Sequence, residues 1–169
     1  MRRPILRYGD PLLHRTARPV EALTPAIETL LDDMQETMHG AAGVGLAAPQ
    51  IGESLRVCLV DLSAGKRPGD VIVLINPEVL GCDGMQLKEE GCLSVPGFEA
   101  TVARPLRMSV RAMDRTGDVR EIHAEGLLAR ALQHEIDHLD GVLFLDRLRP
   151  LYRWTLTRRI ERLRRAGKW

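Results

Sequence analysis

The chain has 169 residues, 44% of them apolar, which is enough for one ordinary domain, residues 1–169, with a real core. Its 24 basic and 23 acidic side chains leave a net charge of +1, so no overall field singles out a nucleic-acid or membrane partner. No apolar run is long enough for a signal peptide or a bilayer span, and the sparse cysteines Cys58, Cys82 and Cys92 suit a reducing compartment, so a cytoplasmic protein is expected.

Thr24-Pro25 is a helix start, and Ile27, Leu30, Leu31, Met34 and Met38 follow at helical spacing until Gly40. The Gly- and Ala-rich stretch from Gly40 to Gly52 reads as loop. LRVCLVD (55–61) and VIVLIN (71–76) read as strands around the polar turn SAGKRPGD, and two short strands are expected to flank Gly84. Thr101 to Asp114 alternates in polarity, Arg115-Thr116-Gly117-Asp118 is a turn, and VREIHAE returns as the second arm of a hairpin. A second helix is predicted from about Leu127 to Leu139. The last segment, LYRWTLTRRIERLRRAGKW, carries seven Arg or Lys against the single acid Glu161, with Leu156, Ile160 and Leu163 as one apolar stripe.

The second helix contains QHEIDHLDG (133–141), which places His134 and His138 one above the other on one face. Two core histidines bonded to backbone carbonyls are the bland account. The competing account is a metal site, because neutral imidazoles on one face can grip an ion while Glu135, beside the first, acts as general base on the water. Such a site needs a third protein ligand and one open position. The extended metalloprotease pattern fails here, since Gly141 is present but Phe144 stands where a third histidine belongs. A downstream glutamate would have to be Glu161, which lies among arginines. The better candidate is Cys92 in KEEGCLSVPGF (88–98), between Gly91 and a turn-forming Pro-Gly. Cys58, inside an apolar strand, reads instead as a small buried residue.

GVGLAAPQ (43–50), EGCLSVPG (90–97) and QHEIDHLDG, in this order, together with the opening I-L-x-Y-G-D-P-x-L, resemble the peptide deformylase family over nearly the whole chain. The resemblance implies an α+β fold, with small antiparallel or mixed β-sheets packed around a central metal-binding helix, plus an N-terminal and a C-terminal helix. It implies a metal-dependent hydrolase that removes the formyl group from N-formylmethionyl nascent peptides. Cys92, His134 and His138 would hold one divalent ion, Fe2+ in the cell with Ni2+, Co2+ or Zn2+ as substitutes. Glu135 would be the general base and acid, and the Gln50 amide with the Leu93 N–H would face the developing oxyanion. Val44, Gly45 and Gly91 are expected to make strand-like bonds to the peptide, and Val44 and Leu127 to line the methionine pocket.

Two positions depart from the family pattern. Arg130 stands where many members have an apolar pocket residue, and its stem is expected to face the pocket with its head in water. Glu99 replaces a residue that is basic in some members. Glu90 and Arg104 are candidates to brace the Cys92 loop, against an exposed pair of little worth, and Asp137 and Asp140 read as helix-face charges. The basic C-terminal helix could contact ribosomal RNA or simply be solvated. The chain is expected to be a monomer without a membrane partner. Two other functions compete: a zinc peptidase of the H-E-x-x-H type, which gives Gln50 and Cys92 no task, and a non-catalytic ribosomal metal-binding protein, which would not need Glu135.

Overall fold

A computed structural model describes residues 1–67 and 69–169. It follows the order α1 (Pro25–Gly40), β1 (Gly45–Ala47), β2 (Val57–Val60), β3 (Ile72–Asp83), β4 (Gln86–Gly91), β5 (Glu99–Arg104), β6 (Arg107–Met113), β7 (Val119–Glu125), α2 (Gly126–Leu139) and α3 (Pro150–Arg165). Short 3-10 turns occupy Pro11–His14, Ala48–Ile51 and Phe144–Arg147.

Thr24 caps α1 by accepting from the Ile27 N–H, and Pro25 fills the first turn, where a missing N–H costs nothing. Five antiparallel strands lie in the order β1-β2-β3-β6-β7, and β4 pairs with β5 in a separate ribbon. The fold is α+β, with every named strand pair antiparallel.

Three expectations need correction. The stretch 40–52 is not all loop, because Gly45–Ala47 forms the edge strand β1 against Val60, Leu59 and Cys58, followed by a 3-10 turn. The alternating run 101–114 is two strands in different sheets. Pro105, which has no N–H for a ladder, lies between β5 and β6. Strands do flank Gly84, but the first is not a separate short one: the 71–76 strand continues as β3 to Asp83, and Gly84, at φ 64°, turns the chain from one sheet to the other. Part of the expected SAGKRPGD turn, Pro68, lies outside the described residues.

Helix α2 is the centre of the molecule. Ala129, Leu132, Ile136 and Leu139 pack into a cluster with Cys58, Val60, Leu74, Met108 and Val110 of the sheet. A second cluster lies under α1, with Met34, Met38, Leu46 and Leu59. A third joins Ile160 of α3 to Val95, Phe98 and Phe144. The sheet side anchors one face of α2, so its opposite face is held beside the β4–β5 ribbon, where Cys92 follows β4.

Candidate active site

The Sγ of Cys92 lies 3.3 Å from His138 Nε2, which lies 3.3 Å from His134 Nε2. The three donor atoms fall within 4.8 Å of one another. His134 Nδ1 donates to Glu90 Oε1 at 2.6 Å, which fixes the tautomer and turns the Nε2 lone pair toward the other two donors. Facing imidazole nitrogens with a sulfur beside them repel unless a proton or cation lies between, and a thiolate with two imidazoles suits a borderline or soft divalent ion. The donor set therefore fits a metal with one position left open.

Glu135 is 4% exposed, and its Oε2 has no hydrogen-bond partner among the described residues. Burial pushes its carboxyl up to about 7, where the two protonation states exchange most readily near neutral pH. A Cβ on Gly45 would overlap Glu135 Oε1 and come within 2.7 Å of Cδ. Gly45 thus makes room for this carboxylate, a role the sequence did not reveal because the two residues are ninety positions apart.

Gln50, 1% exposed, accepts from the Ala47 N–H at 2.8 Å through Oε1, which leaves its amide NH2 directed at Ser94 Oγ (3.1 Å) and Cys92 Sγ (3.6 Å). The Ser94 N–H also points at that sulfur, at 3.4 Å. Ser94 was not singled out by sequence, although it lies within the EGCLSVPG motif. Leu93 stands between Cys92 and Ser94 and lines the adjoining cleft.

A cleft of about 690 Å³ opens over this centre, and Val44, Gly45, Gln50, Gly91, Cys92, Leu93, Leu127, His134 and Glu135 all line it. Of the residues predicted as metal ligands, catalytic groups or peptide contacts, all but His138 therefore reach the cavity wall, and His138, 1% exposed, lies behind it. β1 is an edge strand. Since Val44 O accepts from the Asp61 N–H at 2.8 Å, antiparallel alternation turns the Gly45 N–H and C=O away from β2, toward the cleft. Val44 cannot offer its carbonyl to a peptide, so that expectation narrows to Gly45.

Glu90 and Arg104 are not an exposed pair. Both are buried, and Arg104 donates to Glu90 through Nε (2.8 Å) and Nη2 (2.5 Å) and to Asp137 through Nη1 (2.8 Å). Although burial opposes ionisation, Arg104 and His134 hold the Glu90 carboxyl well below its usual range. Asp137 is likewise buried, bonded also to Arg147 (2.5 and 3.0 Å), so it is no free helix-face charge. Asp140 pairs with Arg56. Arg130 keeps its head out of water, because it is 4% exposed and donates to Glu90 Oε2 at 2.7 Å and Val102 O at 3.0 Å. Glu161 bonds Arg164 and Arg165 on α3, as a surface residue among arginines does. Burial pushes the Cys58 thiol up, which makes it a poor ligand and agrees with its reading as a core residue.

An α+β fold that brings a cysteine sulfur, two imidazoles and a buried carboxylate whose Oε2 has no partner among the described residues to one cleft defines a metal-dependent hydrolase. The family model of polypeptide deformylases matches residues 2–154. The peptide deformylase of Acidobacterium capsulatum is 49% identical over 169 residues, covering 100% of this chain and 99% of the relative. That of Xylella fastidiosa strain M12 is 48% identical, covering 97% of each. A crystal structure of a peptide deformylase from Legionella pneumophila superposes with a TM-score of 0.91 at 47% identity, covering 99% of this chain and 98% of that one. The chain belongs to the polypeptide deformylase family. It is an enzyme that removes the N-formyl group from nascent polypeptides in a metal-dependent reaction, and the peptidase alternative is not favoured.

Proposed function

We propose that Cys92, His134 and His138 hold the metal, that Glu135 carries the proton, and that residues 1–169 form one catalytic domain. The observation that carries this reading is the buried Glu135 carboxylate, whose Oε2 has no partner among the described residues, beside three convergent donors. When bound, a divalent ion supplies Lewis-acid polarisation and lowers the pKa of water.

The formylated peptide adds as a strand to the edge of β1 through the Gly45 N–H and C=O, with Gly91 on its other side. Its methionine side chain enters the cleft between Val44 and Leu127. Glu135 takes a proton from the attacking water and later gives it to the leaving amine, which yields formate and a free amino terminus. Negative charge develops on the formyl oxygen, and the Gln50 amide and Leu93 N–H stabilise it; one such preorganised donor contributes about 3 kcal/mol. Gln50 suits this task because the Ala47 N–H already fixes its carbonyl end.

The resident ion is Fe2+, with Ni2+, Co2+ or Zn2+ as substitutes, which suits a mixed thiolate and imidazole set. The enzyme works in the cytoplasm as a monomer, and the basic α3 contacts ribosomal RNA weakly. No described helix is long and apolar enough to cross a membrane. Metal analysis of anaerobically purified protein identifies the ion. Glu135→Gln keeps the metal while formate release from a formyl-Met tripeptide falls by about a thousandfold or more, as expected when the proton carrier goes and the ligands stay. Near wild-type turnover in the metal-loaded variant would refute the assignment.

A further inference from the structure

The ligand set straddles two elements. Cys92 follows β4, whereas His134 and His138 stand on α2, so the distance between strand and helix decides whether three donors converge. Glu90 is the residue that ties them. Its four acceptor positions are filled by four donors: His134 Nδ1 (2.6 Å) and Arg104 Nη2 (2.5 Å) on Oε1, Arg104 Nε (2.8 Å) and Arg130 Nη1 (2.7 Å) on Oε2. Two of these donors, from Arg130 and His134, belong to α2 and stand one turn apart on one face. Glu90 therefore grips α2 at two points, two residues before Cys92.

Arg130 is a costly choice for this place. It is 4% exposed, it brings a second guanidinium to a carboxylate that Arg104 already neutralises, and its Nε is buried without a partner among the described residues. A buried ion pair of this kind is weak evidence for stability, since an apolar side chain of similar volume often serves a fold as well. What an apolar side chain could not do is hold Glu90 Oε2. The other amino group of Arg130 is anchored on Val102 O of β5 at 3.0 Å, so the guanidinium bridges α2 to both strands of the ribbon.

We propose that Arg130 is a positioning residue for the metal centre: through Glu90 it fixes the His134 ring and the separation between α2 and the Cys92 loop. The proposal rests on the ligand assignment made above. Without Arg130, Glu90 keeps Arg104 but can pivot about it, and the His134 ring and the strand both gain freedom. Faster metal loss follows.

The test compares wild type, Arg130→Met, Arg130→Lys, Glu90→Gln and the Arg130→Met/Glu90→Gln double variant. Each is loaded with Ni2+, and release of the metal to an excess of chelator is followed with time, alongside thermal melts of the metal-stripped proteins. Arg130→Met should release metal at least tenfold faster than wild type, within the 10- to 100-fold range usual for partners of metal ligands. The metal-stripped melt should still be cooperative, and Arg130→Lys should recover most of the retention by restoring a charged donor. In the Glu90→Gln background, Arg130→Met should add little, because its effect runs through Glu90. Wild-type retention in Arg130→Met, or an undiminished effect in the Glu90→Gln background, overturns the proposal. If Arg130→Met does not fold, Arg130→Gln is measured in its place against the same outcomes. A wild-type protein that retains no metal would overturn the ligand assignment itself, which is a different result from equal retention by wild type and variant.

Discussion

At Gly45 a hydrogen in place of a methyl group decides where the Glu135 carboxylate can lie. A methyl there would overlap Oε1, and the two ways to relieve the clash are to turn Glu135 or to shift β1. Each moves a group to which the proposed mechanism gives a task, and a misplacement of about 1 Å can cost a hundredfold in rate. Gly45→Ala is therefore expected to lower kcat by about a hundredfold while metal content and the thermal melt stay near wild type. A full-rate Gly45→Ala enzyme would show that the overlap relaxes harmlessly. This contact was not legible in the sequence, where Gly45 read as a backbone partner of the peptide. The H-E-x-x-H spacing did expose the helix that brings His134, Glu135 and His138 together, because a helix fixes which side chains share a face. Burial of Glu90, Arg104, Arg130 and Asp137 was hidden for the opposite reason: charged residues look solvated until partners from other elements are brought to them.

The elements that carry their own signals were readable: α1 with its Thr24-Pro25 cap, the β6–β7 hairpin with its Gly117 turn, and α2 with its apolar stripe. β1 was not, since Gly-Leu-Ala has little strand propensity and is held by pairing with β2. Its neighbour Asp61 shows how that pairing is pinned. Asp61 N donates to Val44 O, and its carboxylate accepts from the Ser63 N–H (2.8 Å), the Gly65 N–H (2.8 Å) and His39 Nε2 (2.8 Å) near the end of α1. Burial pushes the carboxyl up, but these bonds outweigh it and hold the pKa at about 2. A carboxyl lowered from its ordinary value of about 4 contributes stability that is complete above pH 4 and is lost as pH falls through 2. Asp61→Asn places an NH2 where acceptors are needed, so its melting temperature at pH 7 should drop by roughly 2–6 °C. Between pH 4 and 2 the wild type should lose more stability than the variant, which narrows the gap between them. Parallel acid profiles would remove Asp61 from the account of this clamp.

On the scale of the whole molecule, α3 faces two ways. Its buried side reaches the cleft: Ile160 sits in the cluster with Phe98, the Arg159 guanidinium stacks 5.2 Å from the Phe98 ring, and Trp169 meets that ring edge-on at 6.0 Å while donating to Tyr8 O at 3.0 Å. Phe98 lines the cleft, so α3 braces one of its walls. The outer side leaves Leu151, Tyr152 and Trp154 exposed, with Arg158 stacked 4.9 Å from the Trp154 ring and Arg162 and Arg165 further along. A cationic helix with an exposed aromatic is suited to RNA phosphates, and binding of that kind weakens steeply with salt. Because the two sides are separate, charge reversal at Arg158, Arg162 and Arg165 spares Arg159 and the Phe98 brace. The triple Glu variant should therefore release formate from a short formylated peptide at the wild-type rate and co-sediment less with ribosomes at low salt. Its dependence on salt should also be flatter, since fewer counterions are displaced on binding. If co-sedimentation and its salt slope are unchanged in the folded variant, the work of α3 is confined to bracing Phe98, and the nascent chain is reached by diffusion alone.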